Sequence, residues 1–128
     1  MKILQTITVN QILTQTSKNR LLENYQKQYT RLQKEIDQLK FEMKRLEKTK
    51  KIKPVTLKAH FEKEVSVRNE KMKLLEFKRE QLEILPVGSE LKEREVQAIV
   101  DVKIGDDWDE LIAAKTIVVK DGKVTEIR

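Results

Sequence analysis

Cysteine is absent from this 128-residue chain, which removes disulfide scaffolds, thiolate metal sites and thiol nucleophiles together. Aromatic residues make up only 5% of it, too few to line the deep pocket of a typical small-molecule enzyme. No stretch approaches the roughly 18 apolar residues of a membrane-spanning helix. The opening segment Met1-Lys2-Ile3-Leu4-Gln5-Thr6-Ile7-Thr8 has neither a long apolar core nor a small-residue cleavage site. These absences lead us to expect a soluble cytoplasmic protein with no membrane partner. Proline and glycine are also scarce, at two and three residues, so long elements can run without interruption.

Charge, by contrast, is abundant, at 38% of residues with a net +6. Its distribution matters more than its size. Between Lys44 and Lys58 lie seven basic residues, Lys44, Arg45, Lys48, Lys50, Lys51, Lys53 and Lys58, against one acid, Glu47. That stretch holds the entire excess, and the rest of the chain is balanced. Like charges concentrated in this way suit a polyanionic partner, of which a phosphate backbone is the commonest.

The same region lies at the turn of a long periodic pattern. Leu22, Tyr25, Tyr29, Leu32, Ile36, Leu39, Met43 and Leu46 follow alternating steps of three and four, an apolar seam sustained over more than three heptads. Thr16 or Ser17 is the expected N-cap. After a break at Thr49 to Pro54 a second seam runs Phe61, Val65, Arg68, Met72, Leu75, Arg79 and Leu82, ending at Pro86-Val87-Gly88. Folding the chain about residue 52 sets Met43 against Phe61, Leu39 against Val65, Ile36 against Arg68, Leu32 against Met72, Tyr29 against Leu75, Tyr25 against Arg79 and Leu22 against Leu82. Every position of the second seam meets one of the first, so the expectation is an antiparallel coiled-coil hairpin over 15–86 with its tip near 48–54. Arg68 and Arg79 interrupt the seam, where specifying register is their simplest role.

The second helix has apolar surface beyond its seam, with Val67, Leu74, Phe77 and Ile84 recurring on another face. That stripe either rests on the globular part of the chain or marks a contact with a protein partner or a second copy.

The remaining segments read as strands. Ile3 to Val9 alternate, as do Val96, Ala98, Val100, Val102 and Ile104 against polar neighbours. Lys115 to Lys120 and Lys123 to Ile127 flank the hairpin turn Asp121-Gly122. One strand precedes the helices and the others follow them. The expected class is therefore α+β, with the hairpin inserted into a small antiparallel β-barrel, OB-like or SH3-like, made of 1–14 plus 87–128.

Candidate chemistry is sparse. Asp106-Asp107-Trp108-Asp109-Glu110 lacks the alternating ligands and central glycine of a calcium loop. A capped helical turn, with Asp107 as cap and Glu110 three residues on, explains it. Trp108 could stack a base on a barrel face, but core packing is its expected place. His60 has no second histidine for a metal, and Ser17, Ser66 and Ser89 lack a base and an oxyanion arrangement. We expect no enzyme, metal, cofactor or small-molecule substrate. Two roles remain: RNA or ribosome association through the basic tip, or a structural or chaperone-like protein contact through Val67, Leu74 and Phe77.

Gln81-Leu82-Glu83-Ile84-Leu85-Pro86-Val87-Gly88-Ser89-Glu90, the alternating strand that follows, and Gly105-Asp106-Asp107-Trp108 resemble the YlqD family of small bacterial proteins. The resemblance covers essentially the whole chain and departs from the usual family leucine at Val87. It implies a translation-related setting, because the family's genes in Gram-positive bacteria commonly lie among those for ribosome maturation and tRNA modification. It carries over no catalytic residues.

Overall fold

The computed structural model describes residues 1–49 and 53–128. The expected fold point at residue 52 lies outside them. Elements follow in the order β1 (Lys2–Ile12), α1 (Gln15–Thr49), α2 (Pro54–Ile84), β2 (Glu90–Asp101), α3 (Trp108–Ile112), β3 (Lys115–Lys120) and β4 (Lys123–Ile127). They form two compact units, one of Met1–Lys18 with Leu85–Arg128 and one of Asn19–Ile84.

The helical unit is a hairpin of α1 and α2. Leu32, Ile36, Met72 and Leu75 form its buried cluster, flanked by Tyr25, Tyr29 and Val65. Side chains fix the register on both flanks. Tyr29 Oη donates to Glu76 at 3.0 Å, and Arg68 Nε donates to Glu35 at 3.0 Å. Leu32 against Met72 and Tyr29 against Leu75 agree with this alignment. Toward the tip, Met43 and Phe61 line one groove with Lys40, Val65, Asn69 and Lys73. Leu57, one turn before Phe61, is buried as well and extends the seam.

Capping explains where the helices begin. The Thr14 N–H donates to Ser17 Oγ at 2.9 Å, and the Ser17 N–H returns a bond to Thr14 Oγ1 at 3.1 Å. This reciprocal box makes Thr14 the cap, two residues before Thr16 and three before Ser17, the expected candidates. Pro54 opens α2 at the first helical position, where its missing N–H costs nothing, and the Leu57 N–H donates to the Lys53 carbonyl at 3.0 Å. At the far end Lys18 Nζ donates to the Leu85 carbonyl at 2.8 Å, a cation on a helix C-terminus. Gly88, at φ +98, serves the turn closed by Ser89 N–H to Pro86 O at 3.1 Å.

The expected barrel is corrected: the four strands form an open mixed sheet in the order β2-β1-β3-β4. β1 and β2 are antiparallel, with Ile7 opposite Val96 and Ile3 opposite Val100, whereas β1 and β3 are parallel, with Val9 opposite Ile117. The reason is the connection from β2. It crosses by way of α3 to the far side of β1 and delivers β3 in β1's own direction, leaving β2 and β4 as edges. Arg128 nevertheless grips Glu90 bidentately at 2.8 and 2.9 Å. On a flat sheet three strand spacings, about 14 Å, would separate those edges, so the sheet must curl. A side-chain clasp stands where a barrel would have a backbone ladder.

The core of this unit is small. Ile7 and Val9 are buried from one face of β1, Val118 is buried on the face it shares with Asn10, and Leu13 is enclosed. The Asp121-Gly122 turn has both residues at positive φ, 48° and 78°, as a two-residue type I′ hairpin requires. β2 extends back to Glu90 through charged residues and stops at Asp101, so Ile104 lies beyond it and is fully exposed. Asp107 caps α3 by accepting from the Asp109 and Glu110 N–H groups at 3.0 and 3.2 Å, as its spacing implies. Trp108 departs from expectation, being 56% exposed. Gln5 Nε2 donates to the Leu111 and Ala113 carbonyls and holds the other end of α3, so the indole stays at the rim.

Candidate nucleic-acid interface

The basic tip is assembled from the end of α1 and the beginning of α2. Lys44, Arg45 and Lys48 occupy the last two turns of α1, where steps of three and four bring Lys48 beside both others. Lys53 precedes Pro54, and Lys58 lies in the second turn of α2. All five are exposed. Because Met43 and Phe61 line one groove, both groups of cations arrive at the same end of the hairpin. Lys50 and Lys51 lie outside the described residues.

Pairing leaves most of this charge available. Lys58 approaches Glu62 at 3.8 Å, with both side chains about two-thirds exposed or more, a contact worth little in water. Among the described residues Lys44, Arg45, Lys48 and Lys53 make no ion pair, and Glu47 makes none. Lys48 sits favourably at the C-terminal end of α1, whereas the first turn of α2 has no acid to offset its positive end. The local field therefore favours an anion. Thr49 Oγ1 closes back on the Leu46 carbonyl at 2.8 Å, so α1 keeps its order to that residue.

The candidate protein-contact residues Val67, Leu74 and Phe77 are 41%, 53% and 56% exposed, and Ile84 continues the line at 75%. They occupy the face of α2 opposite its seam.

Ion pairs elsewhere serve the scaffold. Arg68 donates to Glu35 and to the carboxylate and carbonyl of Glu64. Its hydrogen bond holds the Glu64 carboxyl below the usual glutamate range. The bond from Arg128 does the same to Glu90. The Tyr29 phenol is pushed up by its hydrogen bond to Glu76. Arg79, placed by register opposite Tyr25, donates to Glu83 at 3.1 Å. His60 stands edge-on to Phe61 on the surface of α2. Among the described residues no group of three or more acids and histidines converges as metal ligands would, and no helix is long and apolar enough to cross a membrane.

The family model described as YlqD protein matches residues 1–128. The chain belongs to the YlqD family. An uncharacterized YlqD protein of Bacillus subtilis (strain 168) is 41% identical over 128 residues, covering 100% of this chain and 98% of that protein. The fold is also that of a crystal structure of a protein of unknown function from Synechococcus sp. WH 8102. That likeness has a TM-score of 0.85 and 18% identity, over 100% of this chain and 94% of the other.

Proposed function

We propose that this YlqD protein is a non-catalytic cytoplasmic protein that associates with RNA or the ribosome through the tip of its helical hairpin. One observation carries the reading: the whole +6 excess lies between Lys44 and Lys58, and the described cations Lys44, Arg45, Lys48 and Lys53 are exposed and without acidic partners. Such a cluster binds phosphates by releasing counterions, with affinity that falls steeply as salt rises. Reversal of Lys48, Lys50, Lys51 and Lys53 to glutamate is expected to abolish co-sedimentation with ribosomes or bulk RNA at low salt. Unchanged sedimentation sinks the proposal.

A second reading is favoured by the apolar outer face of α2. In it Val67, Leu74 and Phe77 bind a protein partner or a second copy in a structural or chaperone-like role, since exposed apolar residues in line mark such contacts. Leu74→Glu with Phe77→Glu is expected to change either the oligomeric mass or the set of co-purifying proteins. A folded double variant that alters neither rules this reading out.

A further inference from the structure

The faces of the hairpin that lie away from its seam differ in kind. On α2 that face is the apolar line just described. On α1 it is a line of cations. With Leu22, Tyr29, Ile36 and Met43 at one seam position of the heptad and Tyr25, Leu32, Leu39 and Leu46 at the other, the positions opposite the seam include Arg20, Lys27, Arg31, Lys34, Arg45 and Lys48. The intervening positions of the same line are Asn24, Gln38 and Phe41, and no acid interrupts it. Every residue on the line is exposed, and among the described residues none of its six cations makes an ion pair. Of the acids of α1, Glu35 is bonded to Arg68, Glu42 and Glu47 stand beside the seam, and Glu23 and Asp37 lie on the outer face next to the line, within a turn of Lys27 and Lys34, with no ion pair to them among the described residues.

We infer that this outer face of α1 is a track for single-stranded RNA, leading from the basic tip along the helix. The RNA identity of the occupant rests on the proposed function; the track itself rests on different residues. From Arg20 to Lys48 the helix rises about 42 Å, with side chains on the line every three or four residues, about 5 Å apart. A flexible phosphate backbone can follow such a row. Lys27, Arg31 and Lys34 moreover border one shallow depression with Gln26 and Thr30. Phe41, 69% exposed in the midst of the charge, supplies a stacking face for an unpaired base, and a duplex would hide its base faces from it. An anionic membrane fits poorly. A helix lying on lipid needs a broad apolar face beside its cations, whereas the apolar residues of α1, Leu21 and Phe41 apart, lie in the seam.

The test uses the full chain, a fluorescein-labelled oligouridylate long enough to span the helix, and a salt titration. Lys27→Glu, Arg31→Glu and Lys34→Glu are combined in one variant, and a glutamine version of the same triple keeps the result readable if reversal perturbs the fold. Loss of three phosphate contacts is expected to reduce the slope of log affinity against log salt by about 2. Phe41→Ala is expected to weaken the single strand about 5- to 100-fold and to leave duplex binding unchanged. If both triples bind like the parent while reversal of Lys48, Lys50, Lys51 and Lys53 abolishes binding, the track is overturned and the tip reading stands. If the triples lose binding and the tip variant keeps it, the track stands and the tip reading falls. Tighter binding to duplex RNA, or to phosphatidylglycerol vesicles, than to oligouridylate overturns the proposed occupant.

Discussion

Arg128 joins the two edges of the sheet that backbone pairing leaves apart, and so its worth should depend on the charge of Glu90. Its bidentate bond at 2.8 and 2.9 Å lowers the native Glu90 carboxyl below the unfolded value, with a lesser contribution from Asn10. A group lowered in the folded state contributes stability that is fully present above its unfolded pKa. That contribution disappears as pH falls through the lowered native value. Arg128→Gln is therefore expected to be less stable than the parent by a constant margin at neutral pH. The margin should narrow below the ordinary glutamate pKa of about 4.3. Urea denaturation at pH 7 and pH 3 measures both margins, and an equal gap at the two values would show that the clasp does not act through Glu90. Nothing in the sequence announced this pair. Glu90 and Arg128 are 38 residues apart on strands that are not neighbours, and only the curl of the sheet unites them.

Elements were legible where a local pattern alone decides them. The two seams could be read because heptad spacing repeats, and Asp121-Gly122 because few other dipeptides accept two positive φ angles. Asp107 could be read as the α3 cap from the spacing of its neighbours. Leu57 was not, since it lies beyond the break and next to a proline that starts its helix instead of ending one. The parallel β1–β3 pairing was illegible for a different reason: alternation marks a half-buried strand but does not name its neighbour. The basic line on α1 uses the same three-and-four spacing as the seam, but it falls on positions where charge is commonplace. Only its lack of acids and of ion pairs sets it apart. The start of α1 offers a direct test at this scale. Thr14 accepts from the Ser17 N–H and donates its hydroxyl to Asp121 at 2.7 Å, so it caps the helix and ties the β3–β4 turn to it. Thr14→Ala is expected to cost about 0.5–2 kcal/mol by chemical denaturation, with Thr14→Ser recovering most of the loss. An alanine variant as stable as the parent would mean that water serves as an equal cap.

At the scale of the whole molecule the chain has two cores and few residues in either. Leu32, Ile36, Met72 and Leu75 hold the hairpin, while Ile7, Val9, Leu13 and Val118 hold the sheet unit. The two sets are interleaved in sequence, because the hairpin is inserted between β1 and β2, yet no residue belongs to both. Removing buried methyl groups from either core costs about 0.5–5 kcal/mol, depending on the side chain and on how well the site collapses. If each core stabilises its own unit, Leu32→Ala should lower amide protection chiefly within Asn19–Ile84, and Val118→Ala chiefly in β1, β3 and β4. Hydrogen exchange read by mass spectrometry separates those segments. Uniform loss over the whole chain in both variants would show that the units unfold as one. The distinction bears on the proposed role. An arm that opens by itself could order on a bound strand, whereas an arm locked to its base must present the row from Arg20 to Lys48 already formed. In the first case Leu32→Ala should weaken oligouridylate binding, since a partly open helix adds the cost of ordering to association. In the second, binding should survive that substitution and respond only to the surface charges.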